Sequence, residues 1–294
     1  MINIRKWLSY LAYIIVVIVF FAYYLFPSDK VKEYITFKVN SANLNYNISI
    51  NKLEPAFPPG LVLYNVKLYR LSDFLINIEK IKIIPKLLSF FSPETSFCFR
   101  GTACEGVFEG IANAEKSSTN EQIMIDAKLA GIQIRDIPAV KNLIGNIEIS
   151  GMLGGKVGFA NKKGSLNTLG ADLNISDCRI KLLMSFFSSY DFNFRSIKTV
   201  MAIKKNTLQI DRCIIKGEQL DGSITGSVFL KDHVGKSVLN LKGTFKPQTL
   251  FLANLRKVIP LNLPLNYFFK NASNESNLPI SISGTIDKPD IYLR

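Results

Sequence analysis

Residues 281–294 read SISGTIDKPDIYLR, and the fold turns on how this stretch is understood. Ile282 and Ile286 alternate with polar residues, Ile280 lies one step upstream, and Gly284 takes a turn on the apolar side. Alternation with a period of two marks a half-buried strand. A glycine on its apolar side weakens the strand unless the backbone bends there or something approaches closely. After Pro289 the apolar phase resumes one step out of register at Ile291 and Leu293, which reads as a bulge where the strand switches face or leaves its ladder.

The same pattern recurs upstream. Ile147, Ile149, Gly151 and Leu153 form one copy, and Leu239, Leu241, Gly243 and Phe245 another. Gly222, Ile224, Gly226 and Val228 form a variant. Repeated glycine on one face predicts a mainly β protein built on a long, curved, mostly antiparallel sheet spanning 44–294. MAIKKNTLQI predicts one of its hairpins, with Lys205-Asn206 at the tip. Proline opens short apolar segments in IIPKLLSFF (83–91), DIPAVKNLIG (136–145) and KPQTLFLANLRKV (246–258). Proline near the first helical position predicts a short helix in each, laid on the concave apolar face.

Upstream of the sheet, every residue from Leu8 to Phe26 except Ser9 is apolar or aromatic. Nineteen such residues make a helix about 28 Å long, enough for a hydrocarbon core of about 30 Å. YYLFPSD offers no small-residue cleavage site, so the segment reads as a retained single-pass anchor. Arg5 and Lys6 place residues 1–7 in the cytoplasm and the remainder across the membrane. Ser28 caps an expected amphipathic juxtamembrane helix over 28–43, with Val31, Tyr34, Ile35 and Val39 on one stripe.

The composition excludes several functions. The formal charge is +13, from 36 basic and 23 acidic residues, but the lysines are scattered along strands and no nucleic-acid motif accompanies them. The single histidine, His233, has no carboxylate or cysteine at ligand spacing, and no GxSxG, Walker or dinucleotide loop occurs. Asp172, Asp177 and Asp211 alternate onto solvent faces. No enzyme, cofactor or metal reading emerges. Four cysteines permit either two disulfides or four buried thiols, with local pairing (Cys98 to Cys104, Cys178 to Cys213) the preferred bridged arrangement.

In their order and spacing the motifs resemble the type II secretion system protein GspN. The resemblance covers an anchor ending in Phe26-Pro27, LEPAFPPGLVLYNVKL (53–68), IEKIKIIPKLLSFFSPE (78–94) and CEGVFEGIA (104–112). It continues through LAGIQIRDIPAVKNLIGNIEISGMLGGKVGF (129–159), LDGSITGSVFL (220–230) and ISGTIDKPDI (282–291). That family is similar to the broader AsmA-like group, with an inner-membrane anchor and a curved periplasmic sheet. The resemblance implies a non-catalytic component of the type II secretion apparatus, anchored in the bacterial inner membrane with its β domain periplasmic and docking other secretion-system proteins. The alternative is an AsmA-like protein that binds or transfers phospholipid. In that case Ile147, Ile149, Leu239, Leu241, Ile280 and Ile282 face a lipid-holding groove, whereas an ordinary core covered by the protein's own helices leaves no such surface.

Overall fold

The computed structural model describes residues 4–42, 46–71, 73–116, 121–143, 147–161, 168–182, 190–231, 233–248 and 278–293. Two helices lead into the sheet. Helix α1 spans Ile4–Tyr24, and α2 spans Ser28–Ala42 after a break at Pro27, whose ring cannot continue the α1 hydrogen-bond ladder. Within α1, Trp7–Tyr24 is long and apolar enough to cross a membrane and is not covered by the rest of the protein.

Fourteen strands follow: β1 Tyr46–Ala56, β2 Gly60–Arg70, β3 Asp73–Pro85, β4 Glu94–Ala103, β5 Gly106–Lys116, β6 Glu121–Gln133 and β7 Ile147–Asn161. Then come β8 Thr168–Leu182, β9 Tyr190–Lys204, β10 Thr207–Gly217, β11 Leu220–Phe229, β12 Val238–Pro247, β13 Leu278–Gly284 and β14 Pro289–Leu293. They lie in one sheet in strict sequence order, each pairing antiparallel with its chain neighbours. Tight turns join β1 to β2, β4 to β5, β10 to β11 and β13 to β14, and the expected Lys205-Asn206 tip joins β9 to β10. At about 4.8 Å per strand the sheet is roughly 60 Å wide.

Two expectations change at SISGTIDKPDIYLR. The out-of-phase isoleucine and leucine come from a hairpin, not a bulge. Gly284 pairs with Pro289 across a turn over Thr285–Lys288, so Ile291 and Leu293 return opposite Ile282 and Ile280 on the same face. Gly284 sits at φ 82°, a backbone conformation that a side chain disfavours, and so starts the reversal.

The expected helices also differ. Residues Leu87–Phe91 form a 3-10 turn, and Pro138–Leu143 form a single short helix, α3, beside β3 and the 3-10 turn Ile134–Asp136. The third expected helix, over 246–258, falls largely outside the described residues. Among the described residues, α2 packs on β1, α3 beside β3, and the 3-10 turns Leu87–Phe91 and Ile134–Asp136 beside β4 and β7, so no row of helices runs along the apolar face.

The main core lies under α2. Ile50, Leu53, Leu63 and Val66 form a buried cluster, with Phe26, Val31, Ile35, Ile78, Ile81 and Ile83 packed against it. Ile50 and Leu53 are three apart yet share this face because Asn65, opposite at φ 48°, kinks the pair and breaks the alternation. The docked stripe of α2 is Val31 and Ile35; Tyr34 and Val39, expected beside them, point outward and are exposed. Helix α2 also closes the edge of β1. The Asn40 side-chain amide donates to the Ile48 carbonyl at 3.3 Å, while the Ile48 N–H donates to Asn40 Oδ1 at 2.7 Å. One side chain thus replaces a missing neighbour strand.

Candidate functional site: the apolar face of the sheet

Cross-strand partners in an antiparallel pair present their side chains on the same face. Following partners from strand to strand gives a single row through all fourteen strands. It runs Pro55, Leu61, Ile83, Phe99, Gly110, Ala127, Val157, Ala171, Met201, Ile210, Gly226, Leu241, Ile282 and Ile291. Every member is apolar or glycine. The row one residue away points to the other face and carries Glu54, Val62, Lys82, Arg100, Glu109, Lys128, Lys156, Asp172, Val200 and Arg212, charged except at the two valines. Along these two rows the sheet is therefore chemically one-sided from β3 to β8.

The register puts the six residues expected at a lipid groove on this one apolar face. Leu241 pairs with Ile282, Gly243 with Ile280, and Leu239 with Val228, which continues through Leu208 and Ile203 to the β8–β9 pairs. Ile149 pairs with Ile180, opposite Phe192. Ile147 holds a position in the same set, and its side chain lies outside the described ones. Of the remaining five, Ile280 is buried, whereas Ile149, Leu239, Leu241 and Ile282 are only half-buried. Under α2, by contrast, Leu53 is 3 % exposed and Leu63 5 %.

The glycines of this face accommodate their neighbours' side chains. A Cβ on Gly101 would come within 2.5 Å of the Phe108 ring, and one on Gly110 within 2.6 Å of Phe99. Phe99 and Phe108 lie 6.3 Å apart, each over the other strand's glycine. Gly222 makes room for Phe245 in the same way, and Gly217 for Phe194. At these four positions glycine on the apolar side makes room for a ring, whereas an added Cβ at Gly226 or Gly243 would meet the neighbouring strand's backbone.

A groove was expected on the apolar face; among the described residues one opens on the opposite face, where Ile84, Cys98 and Ile111 line it beside charged side chains. Its volume is about 1020 Å³, and Arg100, Glu109, Lys128, Lys156 and Asp172 frame it above the backbone of the Phe99–Met201 row. Arg100 pairs with Glu109 at 3.5 Å; both are exposed, so the pair contributes little stability.

The expected disulfides do not form: all four cysteines are free. Cys98 pairs with Ile111 in mid-strand while Cys104 follows the end of β4, about 20 Å along an extended chain at 3.3 Å per residue. A disulfide needs Cα atoms within about 7 Å. Cys178 pairs with Phe194 and Cys213 with Thr199, so β9 separates them and the partners are five residues apart. Cys104 and Cys178 are buried, and burial pushes both thiols above their usual range. Nearby Glu79 and Asp136 raise Cys104 further. Cys213 accepts a hydrogen bond from the Thr199 hydroxyl at 3.3 Å.

Among the described residues no group of three or more histidine, cysteine or acidic side chains is placed to hold a metal ion. Asp172, Asp177 and Asp211 are exposed, and Asp177 sits in the left-handed region at a register shift of β8. The contacts that sequence reasoning missed are those that depend on docking: Asn40 at the β1 edge, and the Tyr23 hydroxyl donating to the Ala56 carbonyl. No pattern marks either residue, because each partner is remote in sequence. Comparison with family models, curated proteins and solved structures finds no match.

Proposed function

We propose that this is a non-catalytic, membrane-anchored protein of the bacterial envelope whose one-sided sheet shields the acyl chains of phospholipid. The carrying observation is the uninterrupted apolar row from Pro55 to Ile291, in which Phe99, Ala127, Val157, Met201, Ile210, Leu241 and Ile282 are only half-buried. Apolar surface in water costs about 25 cal/mol per Å² relative to burial, so a face of this extent favours an apolar occupant. Contiguous exposed apolar patches of this kind mark interaction sites. An acyl chain fits the chemistry, since the row from Pro55 to Ile291 offers continuous apolarity. In this reading α1 holds the sheet at the inner membrane, N-terminus in the cytoplasm and sheet in the periplasm.

The test is lipid analysis of the domain from Leu25 onward, prepared without detergent. Co-purifying phospholipid, lost on replacing Leu241 and Ile282 with serine, is expected. A lipid-free domain that remains monomeric and folded contradicts the reading.

Docking within a secretion apparatus is the second reading, and the β14 edge favours it. Whereas α2 closes the β1 edge, β14 pairs on one side only among the described residues. An open edge accepts a partner strand, and Pro289 limits the length over which it can do so. Crosslinking from Tyr292 in the native envelope is expected to recover secretion components if that edge is a docking site. Recovery of lipid carriers alone contradicts docking.

A further inference from the structure

The end of the sheet that receives α1 carries large apolar side chains that the protein leaves in water. Two features meet there. At the β1–β2 hairpin tip, Ala56 pairs with Gly60, and the Tyr23 hydroxyl, in the last turn of α1, donates to the Ala56 carbonyl. Phe57, the next residue, is 74 % exposed. Its carbonyl accepts from Lys82 Nζ at 2.9 Å, tying the tip to β3. Strand β3 runs past this tip: Leu61 pairs with Ile83, and Pro85 and Lys86 lead into the 3-10 turn Leu87–Phe91. Leu87 is 57 % exposed and Leu88 86 %.

That turn is held in shape. Ser89 Oγ donates to the Lys86 carbonyl at 2.6 Å and accepts from the Ser96 N–H at 2.9 Å, and the Lys86 N–H donates to the Ser96 carbonyl at 2.9 Å. A serine bridging both ends fixes a projection whose tip is two adjacent leucines. Keeping leucines in water on a pinned turn is unfavourable unless something apolar receives them. The location identifies the receiver. Tyr23 lies at the end of the span Trp7–Tyr24, where aromatic residues sit at the headgroup level, and it touches the residue next to Phe57. Lys86, exposed beside Leu87, adds the charge expected of a side chain at an anionic headgroup layer.

We propose that the Leu87–Leu88 turn and Phe57 form a second membrane contact, which seats the base of the sheet in the headgroup layer of the bilayer from which α1 emerges. Sheet twist confines the contact to the first few strands. At about 20–25° per strand, strand ends beyond β5 have turned by roughly a right angle and no longer face the same plane. One apolar wedge and the adjoining anchor then fix the orientation of the sheet relative to the membrane, which a single flexible tether cannot do. The inference rests on α1 as a membrane span and is independent of acyl-chain shielding by the apolar face.

Tryptophan fluorescence on the full-length protein tests it, since Trp7 is the only tryptophan in the chain. In a Trp7→Phe background, single reporters Leu88→Trp and Phe57→Trp are compared with Leu71→Trp. Leu71 is 54 % exposed in the β2–β3 turn at the opposite end of the sheet. The proteins are reconstituted into vesicles of phosphatidylethanolamine and phosphatidylglycerol, with and without brominated acyl chains. Blue-shifted emission and loss of intensity in brominated vesicles are expected at Leu88 and Phe57, with neither at Leu71. Rim reporters that match the Leu71 reporter overturn the proposal. Quenching of Trp7 in the unsubstituted chain verifies insertion of α1 separately, and lipid capture at Leu241 can fail without altering the rim signal.

Discussion

The first three strands and the last three are written in the same alternating pattern, yet the molecule treats them differently. Over β1–β3, helix α2 lays Val31 and Ile35 on Ile50, Leu53, Leu63 and Val66 and closes them from water. Over β12–β14, Leu239, Leu241 and Ile282 occupy the same face and remain half-exposed. The alternation decides which way a side chain points. Only a second layer decides whether it becomes core, and the described structure supplies that layer at one corner. One end of the sheet is therefore stabilised by packing under α2, whereas along the remainder buried positions such as Ala171, Val228 and Ile280 are interspersed with half-buried ones.

Substitutions at the two ends should separate these roles. Leu53→Ala is expected to have the largest effect, a loss of about 2–5 kcal/mol in chemical denaturation, because it opens a cavity beneath α2. Gly110→Val follows at about 1–3 kcal/mol, since the new side chain collides with the Phe99 ring and the neighbouring backbone. Gly170, with nothing within 4 Å of an added Cβ, tolerates alanine with a change within about 0.5 kcal/mol. Asn40→Ala should cost about 1 kcal/mol by leaving the Ile48 backbone groups without that partner, and should expose the β1 edge to self-association measurable by light scattering. Leu241→Ser is expected to cost less than about 1 kcal/mol because the side chain is only half-buried, while lipid capture falls. A Leu241 variant as destabilised as Leu53→Ala would erase the distinction between the two ends.

The cysteines give a pH-dependent measure of the same contrast between packed and open positions. Burial raises the folded-state pKa of Cys104 and Cys178 above the unfolded value. Their contribution to stability is thus fully present below the ordinary thiol pKa of about 8.5 and is lost as pH rises through the folded values. Thiol reagents applied to the native protein at pH 8 should modify Cys98 and Cys213 first, and Cys104 and Cys178 slowly. All four should react after unfolding without a reductant. Two or more unreactive cysteines in that last experiment would restore the disulfide arrangement.

Much of the fold was legible because two-residue periodicity is local. Ile147, Ile149, Leu239, Leu241, Ile280 and Ile282 were read onto the apolar side from alternation alone, and the register joins them on one face. The helices α1 and α2 follow from a long apolar run and from Ser28 after Pro27. What the sequence left open depends on partners distant along the chain. The ring that each glycine accommodates, as Gly222 does Phe245, is fixed by register. The hairpin at Gly284–Pro289 resembles a bulge until β14 is seen paired back on β13. The disulfide expectation failed because residue spacing says nothing about distance once both cysteines lie on one extended strand or are separated by another. The cover on the face follows from where α2 docks, which α2's own stripe of Val31, Tyr34, Ile35 and Val39 only half predicted.

The central claim, that the uncovered apolar face takes acyl chains, is tested most directly by photo-crosslinking at adjacent residues on opposite faces of β12. A photoreactive side chain at Leu241 in the full-length protein in its native envelope should crosslink to phospholipid. The same group at Lys242, one residue away on the charged face, should not. Phospholipid adducts at Leu241 and their absence at Lys242 are the predicted result; protein adducts alone at Leu241, or equal lipid labelling at both positions, would contradict it.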